Sequence, residues 1–115
     1  MLALHHWNAF LVIAVCAAAS VAGFVARRRG AGRLVTQLLA LAQTLVSAQV
    51  ALGLLLLSDH RRAGDRLHYA YGTFALLAVL WPWLYAPPEP RARLLWFAVA
   101  TLVAAALAVR AWMTA

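Results

Sequence analysis

Apolar residues run along this chain in four long blocks separated by short polar connectors. The blocks cover residues 7–26, 34–57, 67–85 and 94–113, or about 20, 24, 19 and 20 residues, against the roughly 20 that a helix needs to cross about 30 Å of hydrocarbon. The connectors at 27–33, 58–66 and 86–93 are short, so consecutive helices should lie antiparallel and side by side. The expectation is an all-α, up-down, four-helix integral membrane bundle that occupies residues 1–115 as a single domain.

Within the blocks, small and polar residues recur at helical spacing. At about 100° per residue, the first block gathers His5, Asn8, Val12, Cys16, Ala19 and Gly23 on one side. The third gathers His68, Gly72, Ala75, Val79 and Pro82, and the fourth Ala98, Thr101, Ala105 and Ala108. In the second, Thr36, Gln37, Ala40, Gln43, Thr44, Ser47 and Ala51 share a face, with Gln49 pointing away from it. Membrane helices pack through small residues and bond through polar ones, so all four faces are expected to point into the bundle. Pro82, Pro87 and Pro88 end the third helix ahead of a tight turn.

Composition supports the membrane assignment. Hydrophobic residues make up 66% of the 115 and charged residues 11%, whereas soluble domains average about 45–50% and about 25%. A soluble fold of this size cannot hide that much apolar surface. The net charge is +7, from ten arginines against Asp59, Asp65 and Glu89. The arginines sit in connectors and at helix ends, where they meet lipid headgroups and set topology; nucleic acid is excluded as a partner on that ground. Six arginines lie in the first and third connectors and four on the opposite side. The positive-inside rule then places the chain in the plasma (inner) membrane with both termini outside. Met1–His6 carries no Lys or Arg while Arg27, Arg28 and Arg29 follow the first block, the reverse of a signal peptide.

Several chemistries drop out. Cys16 is the sole cysteine, so no disulfide or Cys-x-x-Cys pair forms. The spans hold no carboxylate, which removes di-iron sites and carboxylate proton coupling. Cys16 lies eleven residues from His5, about 16 Å along a helix, so they make no nucleophile–base pair. No catalytic residue is expected.

The histidines carry the remaining chemistry. His5 and His68 begin helices that run parallel, so both lie at one end of the bundle, at depths agreeing within about one turn, ~5 Å. Imidazole is a good axial ligand of haem iron. Gly72, one turn below His68, leaves room for a porphyrin, and Arg61, Arg62 or Arg66 are placed to pair with propionates. One haem b held by His5 and His68 near the outer surface, for electron transfer, is the sharpest expectation. A metal ion on His5, His68 and His60, with His6 in reserve, is a second use of the same residues. The histidines also suit plain interfacial anchoring. In that case the chain would be a non-catalytic accessory or scaffold subunit, in a larger membrane complex or a homo-oligomer. A passive conduit lined by Gln37, Gln43, Thr44 and Ser47 is a further class.

The stretch Leu67-His68-Tyr69-Ala70-Tyr71-Gly72 resembles a Leu-His-Tyr-x-Tyr-Gly motif of small, uncharacterised four-helix membrane proteins of high-GC bacteria. Leu52-Gly53-Leu54-Leu55-Leu56-Leu57 and the Arg-rich connector after it are similar to that group too, so the resemblance covers the middle third of the chain. It implies a fold and no activity. In general plan the chain also resembles the four-helix b-type cytochromes of membranes. Those carry histidines near both surfaces, and histidines at one end only imply a single haem.

Overall fold

The computed structural model of the protein describes residues 2–29, 32–58 and 66–114. Among these all regular structure is helical: α1 Leu2–Arg29, α2 Arg33–Ser58, α3 Leu67–Tyr85 and α4 Pro90–Met113. The limits of α3 coincide with the apolar block that predicts it. The other helices run past their blocks, because a helix continues through polar flanks until something stops it.

The stops and starts have local causes. Ala86 is extended, as the residue before Pro87 must be, and its N–H closes the last turn of α3 on the Pro82 carbonyl at 2.9 Å. α4 starts four residues before its apolar block because Glu89 caps it and Pro90 occupies the first helical position. Pro gives up no hydrogen bond there, since that N–H has no partner in a helix anyway. The Glu89 carboxylate accepts from the main-chain N–H of Ala92 at 2.7 Å and of Arg91 at 3.1 Å. Those bonds, the Ala92 one foremost, hold its carboxyl below the usual carboxylate range. A pKa lower in the folded than in the unfolded chain means that the cap contributes fully above the usual range. The contribution is lost as pH falls through the lowered value. We therefore expect the Arg91 and Ala92 amides to lose protection against hydrogen exchange on acidification through that window, and Glu89→Ala to lose it at every pH. Protection unchanged in the variant would mean that the cap contributes nothing.

The helices form a bundle 46 × 23 × 19 Å in extent. α1 packs along α2 and α4, and α3 packs along α4; the α2–α3 seam is sparse, and α1 and α3 are diagonal. The core follows three of the four expected faces. Val12, Cys16 and Ala19 of α1, Ala75 and Val79 of α3, and Ala98, Thr101 and Ala105 of α4 are buried. Gly23 lets α1 and α4 close up: a Cβ there would lie 2.8 Å from the Ala98 Cβ.

The second helix departs from expectation. Its buried residues are Leu39, Ala42, Val46 and Leu56, while Thr36, Gln37, Ala40, Thr44, Ser47 and Ala51 are exposed. The polar stripe faces outward and Gln49 faces inward. Of the stripe only Gln43 reaches a neighbouring helix, accepting from Trp83 Nε1 at 2.7 Å and donating to the Val79 carbonyl at 3.4 Å. Arg93 of α4 lies over the Trp83 and Phe97 rings, so this cluster ties α2, α3 and α4 together at the end away from the histidines.

The exterior is apolar, with Trp7, Phe10, Leu34, Phe74, Leu77 and Leu84 among many large exposed side chains. α1, α2 and α4 are long and apolar enough to cross a membrane. In the 19-residue α3, His68, three tyrosines, two tryptophans and Pro82 dilute the aliphatic content.

Candidate functional site

The end where α1 and α3 begin is built from small residues and imidazoles. His5 comes from the first turns of α1 and His68 from the first turn of α3. Their helices are diagonal and do not pack on each other, yet the two rings meet across the bundle with centroids 6.1 Å apart and planes at 72°.

Around them lies a cavity of about 330 Å³ to which all four helices contribute, within the range of roughly 300–1,000 Å³ common for small-molecule sites. Ala9, Gly53, Gly72, Ala75, Ala108 and Ala111 line it together with the histidines and Gln49. The small residues make the space: a Cβ on Gly72 would meet nothing within 4 Å, whereas one on Gly53 would come 3.3 Å from His5 Cε1. Exposed Leu54 and Thr73 belong to the lining as well, which places a mouth at the sparse α2–α3 seam.

Polar contacts define each ring. His68 Nδ1 is 2.6 Å from the carbonyl oxygen of Ala111 on α4. A carbonyl only accepts, so Nδ1 carries the proton and Nε2 keeps a lone pair. His5 Nε2 lies 3.5 Å from Gln49 Nε2, and His5 Nδ1 is buried with no hydrogen-bond partner. Gln49 in turn accepts from Asn8 Nδ2 at 3.0 Å, and the same amide nitrogen donates to the Leu45 carbonyl at 3.1 Å.

The expected pair, His5 and His68, is thus brought together with Gly72 beside it. His60, Arg61 and Arg62 lie outside the described residues. Arg66 is exposed ahead of α3, at the histidine end. His6 is exposed and lines the cavity. No group of three metal-ligating side chains occurs among the described residues. Gln37, Thr44 and Ser47 point outward rather than toward the centre of the bundle.

Sequence reasoning missed Asn8 and Gln49 as site residues. A signal for Gln49 was present, because it shares the three- and four-residue spacing of Leu39, Ala42, Val46, Gly53 and Leu56. The chain matches no family model, no curated protein and no solved structure.

Proposed function

We propose that this chain spans the plasma membrane four times with both termini outside, and that its histidine cavity holds one haem b for electron transfer. Support for the membrane reading is the apolar exterior and the 46 Å length of the bundle, close to the roughly 40–45 Å of a bilayer with its headgroups. α3 then crosses packed along α4, its tyrosines and tryptophans lying toward the two interfaces.

The observation that carries the haem reading is the meeting of His5 and His68. The rings are 6.1 Å apart. Each also has a nitrogen to spare: Nε2 of His68, since its other nitrogen is held by Ala111, and the unpartnered Nδ1 of His5. A backbone carbonyl on the second ring nitrogen is the usual way a ligating histidine is oriented. Gly53, Gly72, Ala108 and Ala111 clear space for a flat group, and Arg66, exposed at the same end, would pair with its propionates. When bound, haem would supply a one-electron iron couple, with His5 and His68 as the residues that would hold it.

A reduced-minus-oxidised visible spectrum of the purified protein tests this. The expected result is a Soret band with sharp reduced α and β bands; a colourless sample from haem-replete cells would overturn it. A second reading, a non-catalytic accessory subunit, is supported by the outward stripe Thr36, Ala40, Thr44, Ser47 and Ala51, the kind of face on which another membrane helix packs closely. The colourless result would favour it.

A further inference from the structure

The contact between Gln49 and His5 determines more than the position of the ring. Asn8 Nδ2 points at two oxygens, the Leu45 carbonyl at 3.1 Å and Gln49 Oε1 at 3.0 Å. The Leu45 carbonyl can only accept, so the Asn8 atom facing it is the amide nitrogen, and the Gln49 atom facing Asn8 is the oxygen. The Gln49 NH₂ is thereby turned to His5 Nε2, 3.5 Å away. An N–H facing a ring nitrogen needs a lone pair there. His5 Nε2 is therefore bare, and Nδ1, buried without a partner, carries the proton.

A protonated Nδ1 cannot bind a metal. For His5 to ligate through Nδ1 the proton must move to Nε2, and the Gln49 amide must then turn its oxygen to the ring. That turn faces the Gln49 NH₂ toward the Asn8 NH₂ and breaks the Asn8–Gln49 bond, while the Leu45 carbonyl holds Asn8 against following. We infer that Gln49 is the positioning residue of His5, and that Asn8 locks its amide in the sense that keeps His5 from ligating until the amide turns. The inference rests on the haem reading for its purpose, but the tautomer it assigns belongs to the protein without haem.

Two measurements separate the inference from that reading. In haem-free protein with ¹⁵N-labelled histidine, nitrogen chemical shifts and couplings should show the neutral His5 ring protonated at Nδ1 and bare at Nε2. In Asn8→Ala the amide is released, and the Nε2-protonated form should appear. A wild-type ring protonated at Nε2, or a tautomer unmoved by Asn8→Ala, would overturn the inference whatever haem does.

In haem titrations, Asn8→Ala should bind more tightly than wild type, although it removes two hydrogen bonds. Gln49→Glu, whose carboxylate only accepts, should tighten binding by about 10- to 100-fold and lower the midpoint potential, and Gln49→Leu should weaken binding by a similar factor. A merely structural role predicts weaker binding in Asn8→Ala and Gln49→Glu alike, and that result would also overturn it. Absence of haem binding in every variant, with the tautomers as assigned, would sink the haem reading and leave the positioning role standing.

Discussion

On the proposed haem reading, His68→Ala protein is expected to remain folded and to lose the low-spin haem spectrum entirely. The fold survives because the Ala111 carbonyl that His68 Nδ1 contacts also accepts from Thr114, through its main-chain N–H at 3.2 Å and its Oγ1 at 3.0 Å. Removing the imidazole therefore leaves no buried acceptor unpaired, and the loss is that of an ordinary hydrogen bond, about 1 kcal/mol. The space around the ring is already open, so little packing goes with it. On that reading the spectrum depends on both imidazoles meeting across the diagonal, and His6, the other described histidine, lies on α1 beside His5 and does not replace a ligand from α3. Circular dichroism and the Soret band of one preparation decide the matter. An unchanged Soret band would remove His68 from the site, and a lost helical signal would mean that the residue holds the bundle together.

Gly23→Ala should destabilise the bundle by about 1–3 kcal/mol, the usual effect of an extra methyl in a closed interface. The added Cβ would lie 2.8 Å from the Ala98 Cβ and 3.5 Å from its Cα. Ala98 is fully buried and short, so it cannot swing aside and the helices must separate. Ala98→Gly alone should also destabilise, since glycine in a helix interior costs about 1 kcal/mol relative to alanine. The pair together moves the methyl from α4 to α1, and should be less destabilised than the two single changes added. Unfolding of the four proteins in one detergent gives the coupling energy. Additive effects would mean that α1 and α4 do not meet at this point.

Three helices could be oriented from the sequence and one could not. In α1, α3 and α4 one face is made mainly of small residues, and the other carries bulky apolar residues such as Leu11, Phe74 and Leu102 along with exposed Ala14, Ala17, Ala18 and Ala106. The close-packing face is then the small one, as the structure finds. In α2 the small and polar residues form one stripe, and Leu39, Ala42, Val46 and Leu56 another. For a helix in water the polar stripe would face out and the question would not arise. For a helix in an apolar surrounding, either stripe can face its neighbours, and the pattern alone does not choose.

The histidine pair was legible for a different reason. Chain direction and helix length alone place His5 and His68 at one end, and both sit on faces that the small residues identify. The Asn8–Gln49 link was not legible, because it needs the register of α2 against α1, which depends on which face α2 presents.

Seven serine and threonine hydroxyls among the described residues share one habit. Ser20, Thr36, Thr44, Ser58, Thr73, Thr101 and Thr114 each donate to a carbonyl three or four residues back in their own chain. Hydrogen bonds between helices come instead from nitrogen-bearing side chains: Asn8, Gln43, Gln49, His68, Trp83 and Arg110. On the outward side of α2, Thr36 and Thr44 are thus already satisfied, and they ask no hydrogen bond of whatever lies beside them. To a surrounding of low polarity those threonines present little more than a methyl group. A neighbouring helix settling on that stripe would gain from close backbone approach and dispersion along its threonines and alanines, and would meet polar groups chiefly at Gln37 and Ser47. Along the threonines such a contact would be tight in geometry and permissive in chemistry.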